Sequence, residues 1–237
     1  MNAHLYLKDT LAHIHHLYDN IHIPFKLVIH CSNKLYPRLK SRLETQKDDF
    51  LCDVILNPDH FNKARFHGSL LKGILSNIRF ALEKIPNISH FIIISTRGYL
   101  KEPLKDHKYI LKMTRPYRGI NKPYIRWNGN DYSNPKDDMH SEYMNALQAC
   151  FPKNYSIAFG PHEGLTMPIE SVLKILPMFD YDKVFELKIP LEECILQTLL
   201  HKNKLPHGYL SDFPHWDIPN DKNRILYKKY LLSCHNF

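Results

Sequence analysis

A chain of 237 residues suffices for one large domain or two small ones, and at this size roughly 70% of the unfolded surface is buried, so neither disulfides nor a structural metal is needed to hold a core. Hydrophobic residues at 43%, charged residues at 24% and only 8 glycines exclude disordered, collagen-like and low-complexity classes. No apolar run approaches the length of a membrane span, the opening MNAHLYLKDTLAHIHHLYDN has polar breaks foreign to a signal peptide, and the formal charge of +8 points to an anionic ligand or surface. The expected location is the cytoplasm.

Residues 3–20 place Leu5, Leu7, Leu11, Ile14 and Leu17 at helical spacings ahead of Pro24, which predicts an amphipathic first helix. On it only His13 and His16 of the group His13, His15 and His16 share a face, and no distant metal ligand matches them. They are expected at the surface. Residues 25–29 form a short β-rich run, 36–43 can form a helix, and 51–56 (LCDVIL) a second strand ending at Asn57-Pro58. Residues 68–85 put Leu71, Ile74, Leu75, Ile78 and Leu82 on one face, so they form a helix that Pro86-Asn87 ends. HFIIIS, residues 90–95, has the continuous apolar character of a central parallel strand covered on both faces.

Strands alternating with helices over the first hundred residues predict a parallel α/β sheet, because parallel neighbours need a helical crossover. Residues 1–237 read as one domain, with no internal repeat and no linker. Ligands of open parallel sheets bind beyond the carboxyl ends of the strands. That singles out residues 30–34, 57–68 and 95–104. Residues 114–140 break the pattern with Pro116, Gly119, Pro123, Gly129, Pro135 and Trp127, and a long irregular stretch of this kind is functional or disordered. Helices are expected again at 141–150, 167–176 and 191–201, with a short strand near 156–159.

The five cysteines, Cys31, Cys52, Cys150, Cys194 and Cys234, are odd in number and widely spaced, which suits reduced thiols better than a disulfide framework or a zinc site. Lys and Arg are spread along the chain without a run of five, so a nucleic-acid partner is not expected. Phosphate-loop, dinucleotide, α/β-hydrolase and zincin motifs are absent from the sequence.

Four segments carry a resemblance by their order and spacing: PFKLVIHCSNK (24–34), ARFHGSLLKGILSNIRFAL (64–82), ISHFIIISTRGYLKEPL (88–104) and PLEECILQTLL (190–200). Together the chain resembles the family of inverting branching glycosyltransferases that includes the core-2/I-branching β-1,6-N-acetylglucosaminyltransferases and the peptide O-xylosyltransferases. The resemblance implies a GT-A-type nucleotide-sugar fold with a mostly parallel central sheet flanked by helices. It also implies transfer of a sugar, with inversion, from a nucleoside diphosphate donor, in this family a uridine one, to a glycan hydroxyl. In the first segment His30 and Lys34 match the donor-pocket strand and Ser32 stands where the family has Asp. In the second, Phe66 or His67 replaces the family Trp. The third keeps Ser95, followed by Thr96, on the donor side, while the family Asp is missing near Gly98. In the fourth, Glu193 falls on the family's general base, Glu192 on the preceding Asp at the acceptor side, and Thr198 on its Thr. The family's diphosphate-binding cations correspond to Arg224, Lys228 and Lys229, which makes a metal dispensable. Trp127, in the unmatched stretch, is the candidate acceptor contact.

Each position also has a plain reading. Two acidic residues after Pro190 at a helix start suit the helix dipole; Arg224, Lys228 and Lys229 suit a solvated helix face; His30 suits a core histidine, and Ser95 and Thr96 a strand end. Asp137-Asp138, close to His140, form a carboxylate pair that could hold Mn²⁺ or Mg²⁺, though its polar, proline-rich setting favours a solvated loop. The alternative to an enzyme is a non-catalytic domain that keeps glycan or nucleotide affinity, with Ser32 and Gly98 marking the loss.

Overall fold

The computed structural model describes residues 1–3, 6–45, 54–64, 67–94, 99–100, 102–113, 126–127, 130–131, 151, 158, 162–178, 181–187, 191–209 and 216–217. In chain order these form β1 (Asn2–Ala3), α1 (Leu7–Asn20), β2 (Leu27–Cys31), α2 (Tyr36–Thr45), β3 (Val54–Leu56), α3 (Ser69–Lys84), β4 (His90–Ile92), β5 (Tyr99–Leu100) and α4 (His107–Met113). Beyond them come β6 (Arg126–Trp127), β7 (Asn130–Asp131), β8 (Leu165–Pro168), α5 (Ile169–Ile175) with a 3₁₀ turn at Leu176–Met178, α6 (Tyr181–Phe185), α7 (Ile195–Lys202), β9 (Gly208–Tyr209) and β10 (Trp216–Asp217).

The fold is mixed α/β, with a small parallel sheet and an antiparallel one. β1, β2 and β3 pair in parallel in that order, with Asn2 opposite His30 and Val28 opposite Ile55. α1 and α2 are the crossovers that parallel pairing requires. Every residue of β2 is buried, which is why its sequence, LVIHC, is almost continuously apolar. The antiparallel sheet has the order β4-β8-β9, and β5–β10 and β6–β7 are further antiparallel pairs.

The expectation of a central parallel strand at 90–95 is corrected here. β4 runs antiparallel to β8, with Phe91 opposite Met167, and its residues are only half-buried. A β-branched run records that a strand is apolar and not which way its neighbour points. The helix expected over 167–176 starts later, because Met167 and Pro168 close the strand β8. LTMP is extended and the helix begins only at Ile169, after Pro168 has excluded a helical residue before it. β2 and β4 belong to different sheets, and a cavity of about 460 Å³ lined by Phe25, Leu27, Ile78, Phe91 and Leu104 lies between them.

Two apolar clusters hold these layers. One gathers Ile14 and Leu17 of α1, Leu27 and Ile29 of β2, Leu39 of α2, and Leu100, Leu104 and Ile110. The other gathers Leu71, Leu75 and Ile78 of α3, Leu165 and Met167 of β8, Val172 and Ile175 of α5, and Ile195 and Leu199 of α7. Ile93 joins the second cluster and Ile94 the first, since successive residues of extended chain point to opposite sides. Each fully buried Leu or Ile contributes roughly 1.5–3 kcal/mol of transfer free energy. The periodicity of 68–85 is therefore expressed almost residue for residue in α3.

The surface expectation for the α1 histidines is overturned for two of the three. His13 is fully buried and His16 nearly so, because α1 buries a face wide enough to include Thr10, Ala12, His13, Ile14, His16 and Leu17. Nε2 of His16 accepts the backbone N–H of Leu100 at 2.9 Å, anchoring β5 to the helix. His13 has no hydrogen-bond partner on either ring nitrogen among the described residues. Burial lowers its pKa from 6.5 to about 3. Cys31 and Cys194 are buried, and among the described residues no helix is long and apolar enough to cross a membrane.

Candidate functional site

Two groups of polar side chains gather at strand ends, one at the carboxyl end of β2 and one beside the carboxyl end of β4. The first depends on the loop that follows β3. The backbone N–H of Asn57 continues the ladder to Ile29 O at 2.9 Å, and its side-chain amide donates to Ser76 Oγ at 2.8 Å and Asn77 Oδ1 at 3.3 Å on α3. Ser76 in turn donates to Asp59 Oδ2 at 2.6 Å. At the loop's far end the N–H of Ala64 reaches Ser69 Oγ, and that of Gly68 reaches Leu187 O at 2.8 Å. Gly68 must be glycine, since a Cβ there would lie 2.8 Å from the carbonyl oxygen of Phe185 and closer still to that of Val184.

A loop pinned at both ends lays Lys63 across the end of β2. Its ammonium donates to Nδ1 of His30, which is fully buried, and lies 3.5 Å from the His30 carbonyl oxygen. The Phe61 ring meets the His30 ring edge-on at 4.3 Å, and the ammonium groups of Lys63 and Lys72 lie 5.8 and 5.3 Å from the Phe61 centroid. Burial lowers the Lys63 pKa from 10.5 to about 7 and raises that of Cys31 from 9.0 to about 11. Next to this group Tyr36 stacks on His60 at 4.1 Å, and His60 Nδ1 lies 2.9 Å from Asn33 Oδ1.

The second group is built by two tight turns. Gly164, at φ 78°, donates to Ile93 O at 2.6 Å, which fixes His162 and Glu163 beyond the end of β4. Leu191–Cys194 forms the other turn, closed by the N–H groups of Cys194 and Ile195 on Leu191 O. Glu193 Oε1 lies 3.8 Å from His162 Nδ1, and Glu163 Oε1 lies 3.9 Å from His162 Nε2. Glu163 and Glu192 are buried, whereas the Glu193 side chain keeps 25% of its surface accessible. α7 starts at Ile195 with Cys194 as its N-cap, so neither Glu192 nor Glu193 lies in its first turn and the helix-dipole reading weakens for both. Thr198 has a structural task, accepting the Ala158 N–H at 2.9 Å and donating to the Ala158 carbonyl at 3.2 Å.

Of the other residues singled out by sequence, Ser32 accepts the N–H of Leu35 at 3.3 Å and so shapes the entry to α2, and Lys34 is exposed. Trp127 pairs with Asn130 in the backbone of β6 and β7. Ser95, Thr96, Gly98, Asp137, Asp138, His140, Arg224, Lys228 and Lys229 lie outside the described residues. Among the described residues no group of three or more His, Cys, Asp or Glu side chains is arranged to hold a metal ion.

Sequence reasoning missed Lys63, His162 and Glu163. Lys63 falls in the stretch 57–68 that the strand-end rule marked, and only its burial, invisible in sequence, separates it from the chain's other lysines. His162 and Glu163 precede a strand, Leu165–Pro168, for which the sequence carries no strand signal, so the strand-end rule does not mark them. No family model matches the chain, and no curated protein matches it.

Proposed function

We propose that the chain is an inverting glycosyltransferase that moves a sugar from a nucleoside diphosphate donor, a uridine one in the first instance, to a carbohydrate hydroxyl. The observation that carries this reading is the setting of Glu193. A base for an incoming hydroxyl must be reachable by substrate yet held in place, and Glu193 is partly accessible, sits in a turn closed by two backbone hydrogen bonds and has an imidazole 3.8 Å away.

In this reaction the acceptor hydroxyl gives its proton to the Glu193 carboxylate as its oxygen bonds to the anomeric carbon. The bond from that carbon to the diphosphate breaks on the opposite face, and the diphosphate leaves with the electron pair. Positive charge beside the departing phosphates lowers the barrier. The net charge of +8 favours capture of such a donor. No metal is required in this reading, so turnover should persist in excess EDTA. Loss on chelation, with rescue by Mn²⁺ and renewed loss in Asp138→Ala, would assign the diphosphate to a metal at Asp137-Asp138.

The second reading, a binding domain without turnover, is favoured by one observation. Ser32, where the resembling family has Asp, spends its hydroxyl on the turn into α2. A thermal-shift screen of nucleotide sugars followed by an assay of nucleotide release separates the readings. A ligand at 100 times its Kd should add about 2.7 kcal/mol of stability. Stabilisation with release supports the transferase, stabilisation without release supports the binding domain, and neither with any nucleotide sugar would overturn the transferase and the nucleotide-binding domain together, leaving only glycan binding.

A further inference from the structure

We infer that the end of β2 is an anion site in which Lys63, oriented by His30, binds a phosphate or diphosphate group. Among the described residues the Lys63 ammonium has no paired carboxylate. The contacts of the Lys63 ammonium are an imidazole nitrogen, a backbone carbonyl and the Phe61 ring, and among the described residues no carboxylate lies within ion-pair distance of it. Buried ammonium groups are normally paired, because neutral acceptors and ring faces return less than the hydration that burial removes. Two local groups favour the charge only from beyond ion-pair distance, too weakly to offset its burial. Asp59 is turned to the Ser76 hydroxyl, and the Cys31 thiol is held protonated at neutral pH by its burial.

The surroundings suit an incoming anion. Asn62 and Ala64, on either side of Lys63, are exposed and Lys63 itself is half-buried, so the segment that carries the ammonium borders solvent. Lys72 places a second ammonium near the same Phe61 ring, and the site lies beyond the carboxyl end of a parallel strand, where such sheets bind ligands. An anion placed here restores the charge balance that the protein leaves open, and it also draws the Lys63 proton equilibrium back towards the charged form. The anion site stands without the transferase reading. Identifying its occupant as the donor's diphosphate rests on that reading.

Calorimetric titration of the wild-type protein with pyrophosphate, uridine diphosphate and uridine tests both parts. Pyrophosphate and uridine diphosphate should bind, Lys63→Met should weaken both at least tenfold, the worth of one charge-assisted hydrogen bond, and Lys63→Arg should retain part of the affinity. Lys40→Met, which removes an exposed cation of α2, should leave it unchanged. Should Lys63→Met fold poorly, acetylation of wild-type Lys63 followed by mass spectrometry gives the same answer, with pyrophosphate expected to protect it selectively over Lys40. Undiminished pyrophosphate binding in Lys63→Met, no anion binding at millimolar concentration, or no protection of Lys63 would overturn the anion site. Lys63-dependent pyrophosphate binding with no gain from the uridine moiety would uphold the site and overturn the uridine donor.

Discussion

The half of the molecule built on the parallel sheet buries bases, and the half built on the antiparallel sheet buries acids. Around β1 and β2 lie the Met1 amino group, donating to Val28 O at 2.6 Å, with His13, His16, His30 and Lys63; around β8 and α7 lie Glu163 and Glu192, with Glu193 at their accessible edge. In the first half burial drives the bases towards their neutral forms, with the Met1 amine lowered to about 5, His13 to about 3 and Lys63 to about 7. Had these charges been mixed in one place they would have neutralised one another as ion pairs. In the proposed reading, keeping them apart leaves a carboxylate to take a proton and an ammonium to hold an anion.

The largest expected effect comes from removing the accessible acid. Glu193→Gln preserves size and hydrogen bonding but cannot accept a proton, so turnover should fall by roughly 100- to 10,000-fold with donor affinity little changed. Glu192→Gln, at a buried position, should act on melting temperature more than on rate. Retention of more than about a tenth of wild-type turnover in Glu193→Gln would show that the base lies elsewhere.

Next in size is a change where the two halves meet. Gly68→Ala drives a methyl group against the carbonyls of Val184 and Phe185, and overpacking of this kind costs about 1–3 kcal/mol. The displaced backbone is continuous with the loop that carries Lys63. Chemical denaturation should report the loss of stability, and pyrophosphate affinity should fall in the same variant. An unchanged affinity beside a lower stability would mean that the Lys63 loop is held by Asn57, Ser76 and Ser69 without the Gly68 contact.

How far sequence revealed this arrangement follows from what each signal encodes. α3 was legible nearly end to end, because a stripe of Leu and Ile at helical spacing has one interpretation and Pro86-Asn87, with Asn87 at φ 58°, supplies the stop. β2 was legible as a strand but displaced by two residues, since Phe25 lies outside the ladder while His30 and Cys31 belong to it. The direction of β4 and the existence of β8 were not legible: pairing partners are set by tertiary contact, and Leu-Thr-Met-Pro carries too little periodicity to distinguish strand from helix. Glu193 could be singled out because a Pro-Leu-Glu-Glu pattern is short and local. Its neighbour His162 lies 31 positions earlier, and only the folded chain brings the two together.

That neighbour provides a finer probe of the acid half. His162 stands between Glu193 and Glu163 at 3.8 and 3.9 Å and is read as a positioning residue for the base. His162→Gln should lower kcat by about tenfold, the scale of a modest misplacement of a reacting group, and leave KM for the donor near wild type. An unaltered kcat with reduced stability would reduce His162 to a packing role.

The smallest effect near neutral pH, and the clearest in sign, belongs to the base half. His13 is neutral in the folded protein down to a pKa of about 3 but titrates at 6.5 when unfolded. Above pH 6.5 neither state binds the proton and His13 contributes no pH dependence. Between 6.5 and about 3 the unfolded state binds more protons, so acidification destabilises the fold, by up to about 1.4 kcal/mol for each pH unit from this one group. His15 and His16, also lowered by burial, add to the loss with the same sign. His13→Leu should therefore leave stability at pH 8 within about 1 kcal/mol of wild type, or raise it, since a ring with no hydrogen-bond partner among the described residues is exchanged for an apolar side chain. At pH 5 the variant should be the more stable of the two. Urea denaturation at pH 8, 6 and 5 measures both, and parallel stability curves for wild type and variant across that range would show that His13 reaches solvent and that this half of the molecule buries one base fewer.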